Sequence, residues 1–145
     1  MTLQPLQTLL AEPEQAGTFY LTASDLAPLL AAAGALGFRC ITLDLGHCDQ
    51  KAELLRRLAV AFAFPAGLGH NWDALADCLG DLSWLPAQGY VLGLTHPQAL
   101  RDAAVDDYAT LVSILEGASL EWRERNQPFW TFIALPDAEF EALPP

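Results

Sequence analysis

Two short stretches with almost no polar residues, YVLGL at 90–94 and TFIAL at 131–135, constrain this chain most tightly. A strand with one wet face alternates apolar and polar residues, whereas a strand written without that alternation has to be covered on both sides. Between the two runs, DDYATLVSILEGASLEWRER carries Tyr108, Leu111, Leu115 and Trp122 near one face of a helix. A doubly covered strand, a helix and a second such strand make the pattern of a parallel crossover.

The same alternation runs upstream. FRCITLDL at 38–45 is β-branched and apolar, and KAELLRRLAVAFAF repeats Leu54, Leu55, Leu58 and Phe62 at helical spacing, with Asp49 as its expected cap. Pro65 and Gly67 end that helix. GTFYLT at 17–22 reads as a short strand, and ASDLAPLLAAAGALG as a helix capped by Ser24 and closed near Gly34 or Gly37. Pro28 is tolerable there only because it falls close to the first turn. Residues 1–16, with Pro5 and Pro13, read as a loosely attached arm with one helical turn around Leu6 to Leu10, and PDAEFEALPP as a tail. The expected class is α/β: a small parallel sheet of three core strands, with GTFYLT as a candidate extra N-terminal strand, covered by helices. The expected organisation is an extension over 1–37, a domain over 38–135 and a tail over 136–145.

At 145 residues the chain has the size of one domain. Seven basic against eighteen acidic residues give a net charge of −11, which opposes sequence-independent phosphate binding, so no nucleic-acid partner is expected. The same field favours solubility and draws in a basic partner. No stretch approaches the ~18 apolar residues of a membrane span, and the start lacks the basic head of a secretory signal, so a cytoplasmic protein with no membrane partner is expected. Cys40, Cys48 and Cys78 show no C-x-x-C spacing and read as free, mostly buried thiols. A Walker loop, a Rossmann fingerprint and a nucleophile elbow are all missing, and no cofactor is expected.

The stretch GLGHNWDALADCLGDLSW at 67–84 holds Asp73, Asp77 and Asp81 at four-residue intervals, with no Lys or Arg among them. On a helical wheel Trp72, Leu75, Ala76 and Leu79 form the core side, and the aspartates line an adjacent side. Like charges at this spacing cost an isolated helix about 0.2–0.5 kcal/mol per pair, and Asp is itself a weak helix former. Local chemistry treats the three aspartates differently. With Asn71 as N-cap, Asp73 sits in the first turn and complements the helix dipole. Asp81 follows Gly80, which is expected to end the helix. Asp77 gains nothing from local helix chemistry, because positions 73, 74, 80 and 81 carry no basic residue. Trp84, in the loop that follows, is either an interface anchor or a cover over the core. His70 with Asp73 and Asp77 could be drawn as a metal triad for an enzyme, but the spacing matches no strong metal signature.

PAGLGHNWDALADCL at 65–79 resembles the barstar family, inhibitors of small basic extracellular ribonucleases. The shared core G-x-N-x-D-A-L-x-D-C-L is met by Gly69, Asn71, Asp73, Ala74, Leu75, Asp77, Cys78 and Leu79. The order of elements over about 38–135 agrees: strand 38–45, helix 51–62, acidic helix, strand 89–94, long helix, strand 128–135. The resemblance implies an intracellular, antitoxin-like inhibitor, monomeric when unbound, without catalysis or cofactor, whose acidic helix and preceding loop block the site of a basic ribonuclease. Asp77 would be the dominant contact and Asp73 the second, with Glu116 of LVSILEGA joining from the long helix. Gly69 would allow close approach, Leu68 would supply an apolar contact, Asn71 would fix the helix, and Trp84 or Leu82 would stand in for a contact tryptophan. Gly67 and Leu68 occupy the places where the family carries an aromatic pair. The alternative is a module of the same fold that binds a different basic protein or toxin.

Overall fold

In the computed structural model, which describes residues 4–67 and 70–141, the two apolar runs lie side by side as parallel strands β3 (Tyr90–Thr95) and β4 (Phe129–Leu135), with Leu92 opposite Thr131. Strand β2 (Arg39–Asp44) pairs with the far side of β3, and β1 (Thr18–Thr22) with the far side of β4. The sheet therefore has four strands in the order β1-β4-β3-β2, all parallel, and GTFYLT is one of them.

Handedness dictates where the helices go. The steps β2 to β3 and β3 to β4 move across the sheet in one direction, so right-handed crossovers place their helices on one face. These are α3 (Lys51–Ala61) and α4 (Trp72–Asp81), then α5 (Gln98–Ala103) and α6 (Val105–Glu124). The step β1 to β2 moves the other way, so α2 (Ala23–Ala35) covers the opposite face, where α1 (Gln4–Leu10) joins it. Alternate strand residues feed two separate cores. Ile41, Leu43, Leu92, Leu94 and Ile133 point into one with Leu54, Leu58, Leu75, Leu79, Leu111 and Leu115. Val91, Trp130, Phe132 and Ala134 point into the other with Leu10, Leu26, Leu29 and Ala33.

Several local expectations change. Residues 4–16 are no loose arm: Leu10 is fully buried, and its carbonyl accepts the Trp130 indole N–H at 2.9 Å. Ser24 is not a cap. Strand β1 runs straight into α2, so the cap position falls on Thr22, and the Ser24 hydroxyl donates to Asp137 Oδ2 at 2.9 Å instead. Pro28 lies inside α2 on its exposed side, and Gly37, with φ +78°, follows the helix end. Gln50 rather than Asp49 stands at the cap of α3, without a side-chain bond. Part of the tail folds as α7 (Asp137–Glu141), which Arg101 ties down through Glu139 at 2.5 Å. Cys48 and Cys78 are buried, whereas Cys40 is exposed on the outer strand β2.

Candidate functional site

Helix α4 begins as its sequence demands. Asn71 takes an extended conformation and its Oδ1 accepts the Ala74 N–H at 2.8 Å, satisfying one of the first-turn donors. Leu75, Cys78 and Leu79 are buried, and Ala76, expected on the core side, is exposed. Trp72 is only half-buried, with the Lys51 ammonium 5.4 Å from its ring centroid. Nor does Gly80 end the helix. It continues to Asp81 and closes at Leu82, a fully buried residue in the left-handed conformation with φ 48°. Within the helix, Gly80 faces the Glu121 carboxylate from α6, the tip of an exposed side chain that could swing aside for a Cβ.

Asp73, Asp77 and Asp81 are exposed, and among the described residues none has a hydrogen bond or ion pair. Asp77 and Asp81 border a groove of about 650 Å³ between α4 and α6, whose other wall carries Glu121 and Arg125. Small residues at Ala76, Gly80, Gly117 and Ala118 open it. Glu121 and Arg125 have the spacing of a helical salt bridge, yet the Arg125 guanidinium lies 4.3 Å from the Trp122 ring centroid, and the described residues include no pair between the two. Beneath the groove, the buried Trp122 indole N–H donates to the Leu79 carbonyl at 2.7 Å and ties α6 to α4. Burial pushes the Cys78 thiol up, and the Asp77 and Asp81 charges add to the effect, so this sulfur stays a protonated thiol.

Of the residues singled out from the sequence, Asp73 and Asp77 lie on α4, Asn71 caps it, and Trp84 lies near Asp77. Its ring borders a recess with Asp77 and Asp81, its N–H donates to the Phe62 carbonyl at 2.9 Å, and it meets Phe64 edge-on at 5.9 Å. The hydrogen bond to Phe62 and the contact with Phe64 pack Trp84 against the core, and the ring stays half-buried. Glu116 lies apart. It faces the N-terminal segment, where its Oε1 accepts the Thr18 N–H at 2.7 Å, and the α6 carboxylate in the groove is Glu121. In the sequence Glu121 looks like a solvated helix charge, and only the proximity of α4 sets it apart. Gly67 has φ +90°; Leu68 and Gly69 lie outside the described residues. Among the described residues, no three His, Cys, Asp or Glu side chains are grouped so as to hold a metal ion, and no helix is long and apolar enough to cross a membrane.

A family model described as Barstar (barnase inhibitor) matches residues 38–134. No curated protein matches the chain. Among solved structures, the Aeropyrum pernix ORC1 protein in complex with DNA is similar with a TM-score of 0.53 and 19% identity, over 97% of this chain and 40% of that one. At that identity the likeness concerns the fold alone.

Proposed function

The chain belongs to the barstar family, a family of inhibitor domains that act by binding protein, and from that premise we propose that it blocks a basic ribonuclease with the outer face of α4. The observation that carries this reading is Asp77: an exposed carboxylate on a capped helix, with no partner among the described residues and no benefit from local helix chemistry. An unpaired carboxylate on a rigid element is organised in advance for a cation, and Arg, Lys and His⁺ form charge-assisted bonds stronger than neutral ones. Those are the side chains with which a ribonuclease holds phosphate.

Asp77 and Asp73 would take the place of phosphates, Glu121 would replace Glu116 as the contribution from α6, and Trp84 would cover the rim. Asn71 holds the helix in the presenting position. Leu68 and Gly69 would make the loop contacts. Gly67, standing where the family has an aromatic residue, favours a second reading, in which the partner is a different basic protein with no ring to stack beside α4.

Titrating a small basic ribonuclease with the chain, and following both activity and heat, tests the first reading. Stoichiometric inhibition that is lost in Asp77→Ala is the expected result. No inhibition, with another basic protein retained by the chain from its native extract, would select the second. In either case, rising salt should slow association far more than it changes dissociation.

A further inference from the structure

The sheet leaves two backbone edges open, and they are dressed differently. Edge strand β2 carries Arg39, Thr42 and Asp44, the charged and polar kind of edge that discourages strand addition. Edge strand β1 instead shows Phe19 and Tyr20, 46% and 45% exposed. The Thr131 N–H donates to the Gly17 carbonyl at 2.9 Å, which sets the parity of the ladder. Phe19 and Leu21 turn their backbone groups toward β4, while Thr18, Tyr20 and Thr22 turn theirs outward. Glu116 occupies the outward N–H of Thr18. Among the described residues, the outward N–H of Tyr20 and the carbonyls of Thr18 and Tyr20 have no partner.

Two further features give this edge a chemical preference. Beside it, on the α2 face, lies a groove of about 250 Å³ bordered by Leu6, Leu9, Phe19, Leu29 and Trp130, with room for one large apolar side chain. At its ends stand carboxylates: Glu116 beside the start of β1, and Asp137, bonded to Ser24, just past its end.

We propose that β1 is a docking edge for an extended segment of a partner protein, one apolar side chain filling this groove and Lys or Arg residues flanking it to meet Glu116 and Asp137. The added strand pairs with Tyr20 through main-chain hydrogen bonds. Its first carbonyl displaces the Glu116 carboxylate from Thr18, which frees that charge for the incoming cation. A second copy of this chain is a poor occupant. Antiparallel pairing about Tyr20 would set Glu116 of each copy beside Asp137 of the other, and each copy carries a net charge of −11. The surface differs from the α4 face, so the inference does not depend on the ribonuclease reading.

The test uses the whole chain and two capped seven-residue peptides of Thr and Val with a central Leu, one ending in Lys on both sides and the other in Glu. The Lys-flanked peptide is expected to bind and to slow hydrogen exchange at the Tyr20 amide by about tenfold or more. The Glu-flanked peptide is expected to bind at least about tenfold more weakly. Phe19→Ser should lose the Lys-flanked peptide while keeping the thermal transition; if that variant does not fold, the two peptides on the natural chain still decide. No binding, equal binding of both peptides, or protection centred away from Tyr20 would overturn the proposal. So would a dimer of the free chain with its Tyr20 amide already protected, which would assign the edge to a second copy.

Discussion

The outer face of α4 and the open edge of β1 are both surfaces without partners among the described residues, but they arise in opposite ways. The first is made of side chains from ten consecutive residues, and its existence follows from the helical period alone. The second is made of backbone groups that become an edge only because Thr18 pairs with Thr131, far along the chain, and because no described strand pairs on the other side. A side-chain surface on a helix is a local property, whereas a sheet edge is a property of topology.

Substitutions can break or sharpen this contrast. Leu10→Ala has the largest expected effect, a loss of about 2–5 kcal/mol in unfolding free energy, because it hollows the core on which β1 and Trp130 rest. Urea denaturation reads it out; a loss well under that range would return the N-terminal segment to the status of a loose arm. Next comes Asp77→Ala, expected to weaken partner binding by about 1.5–3 kcal/mol, the cost of a charged hydrogen bond, while stability is unchanged or slightly raised as a repulsive carboxylate leaves. Calorimetry and thermal melting of the same variant separate the two quantities, and unchanged affinity would remove Asp77 from the interface.

Asn71→Ala should cost about 0.5–2 kcal/mol of stability through the lost cap, with fraying at the start of α4 visible in amide exchange. The smallest effect belongs to the edge strand. Tyr20→Phe removes the 2.7 Å bond between the Tyr20 and Tyr108 hydroxyls and should cost about 0.5–1.5 kcal/mol. Burial, aided by that bond, raises the Tyr108 phenol above its ordinary range. The neutral form is therefore the one the fold favours. Its contribution is intact below the unfolded value of about 10 and falls away as pH rises beyond it. Alkaline melts should accordingly be steeper for the natural chain than for Tyr108→Phe.

Much of this fold was legible because its signals are short-range. The buried strands announced themselves by apolar runs, and Leu54, Leu58, Leu111 and Leu115 announced their helices by period. Asn71 was legible as a cap because a following helix left few other uses for its side chain. Ser24, Asp49 and Gly80 misled for one common reason: a cap or a terminator is chosen by backbone geometry at a junction, and a suitable residue one or two positions away looks the same in sequence. Gly80 lies against the Glu121 carboxylate of another helix, and no local pattern carries that proximity.

By itself, then, the sequence determined the parallel α/β class and the acid-faced, Asn-capped helix, which rest on periodicities and contacts within a few turns, and the family, which rests on the motif at 69–79. Only the tertiary structure decided that Glu121 rather than Glu116 shares a groove with Asp77, that Trp84 borders a recess with Asp77 and Asp81, and that Thr18–Thr22 complete the sheet. Those outcomes depend on which helix lies over which strand, and that is settled by the handedness of crossovers and the packing of two cores.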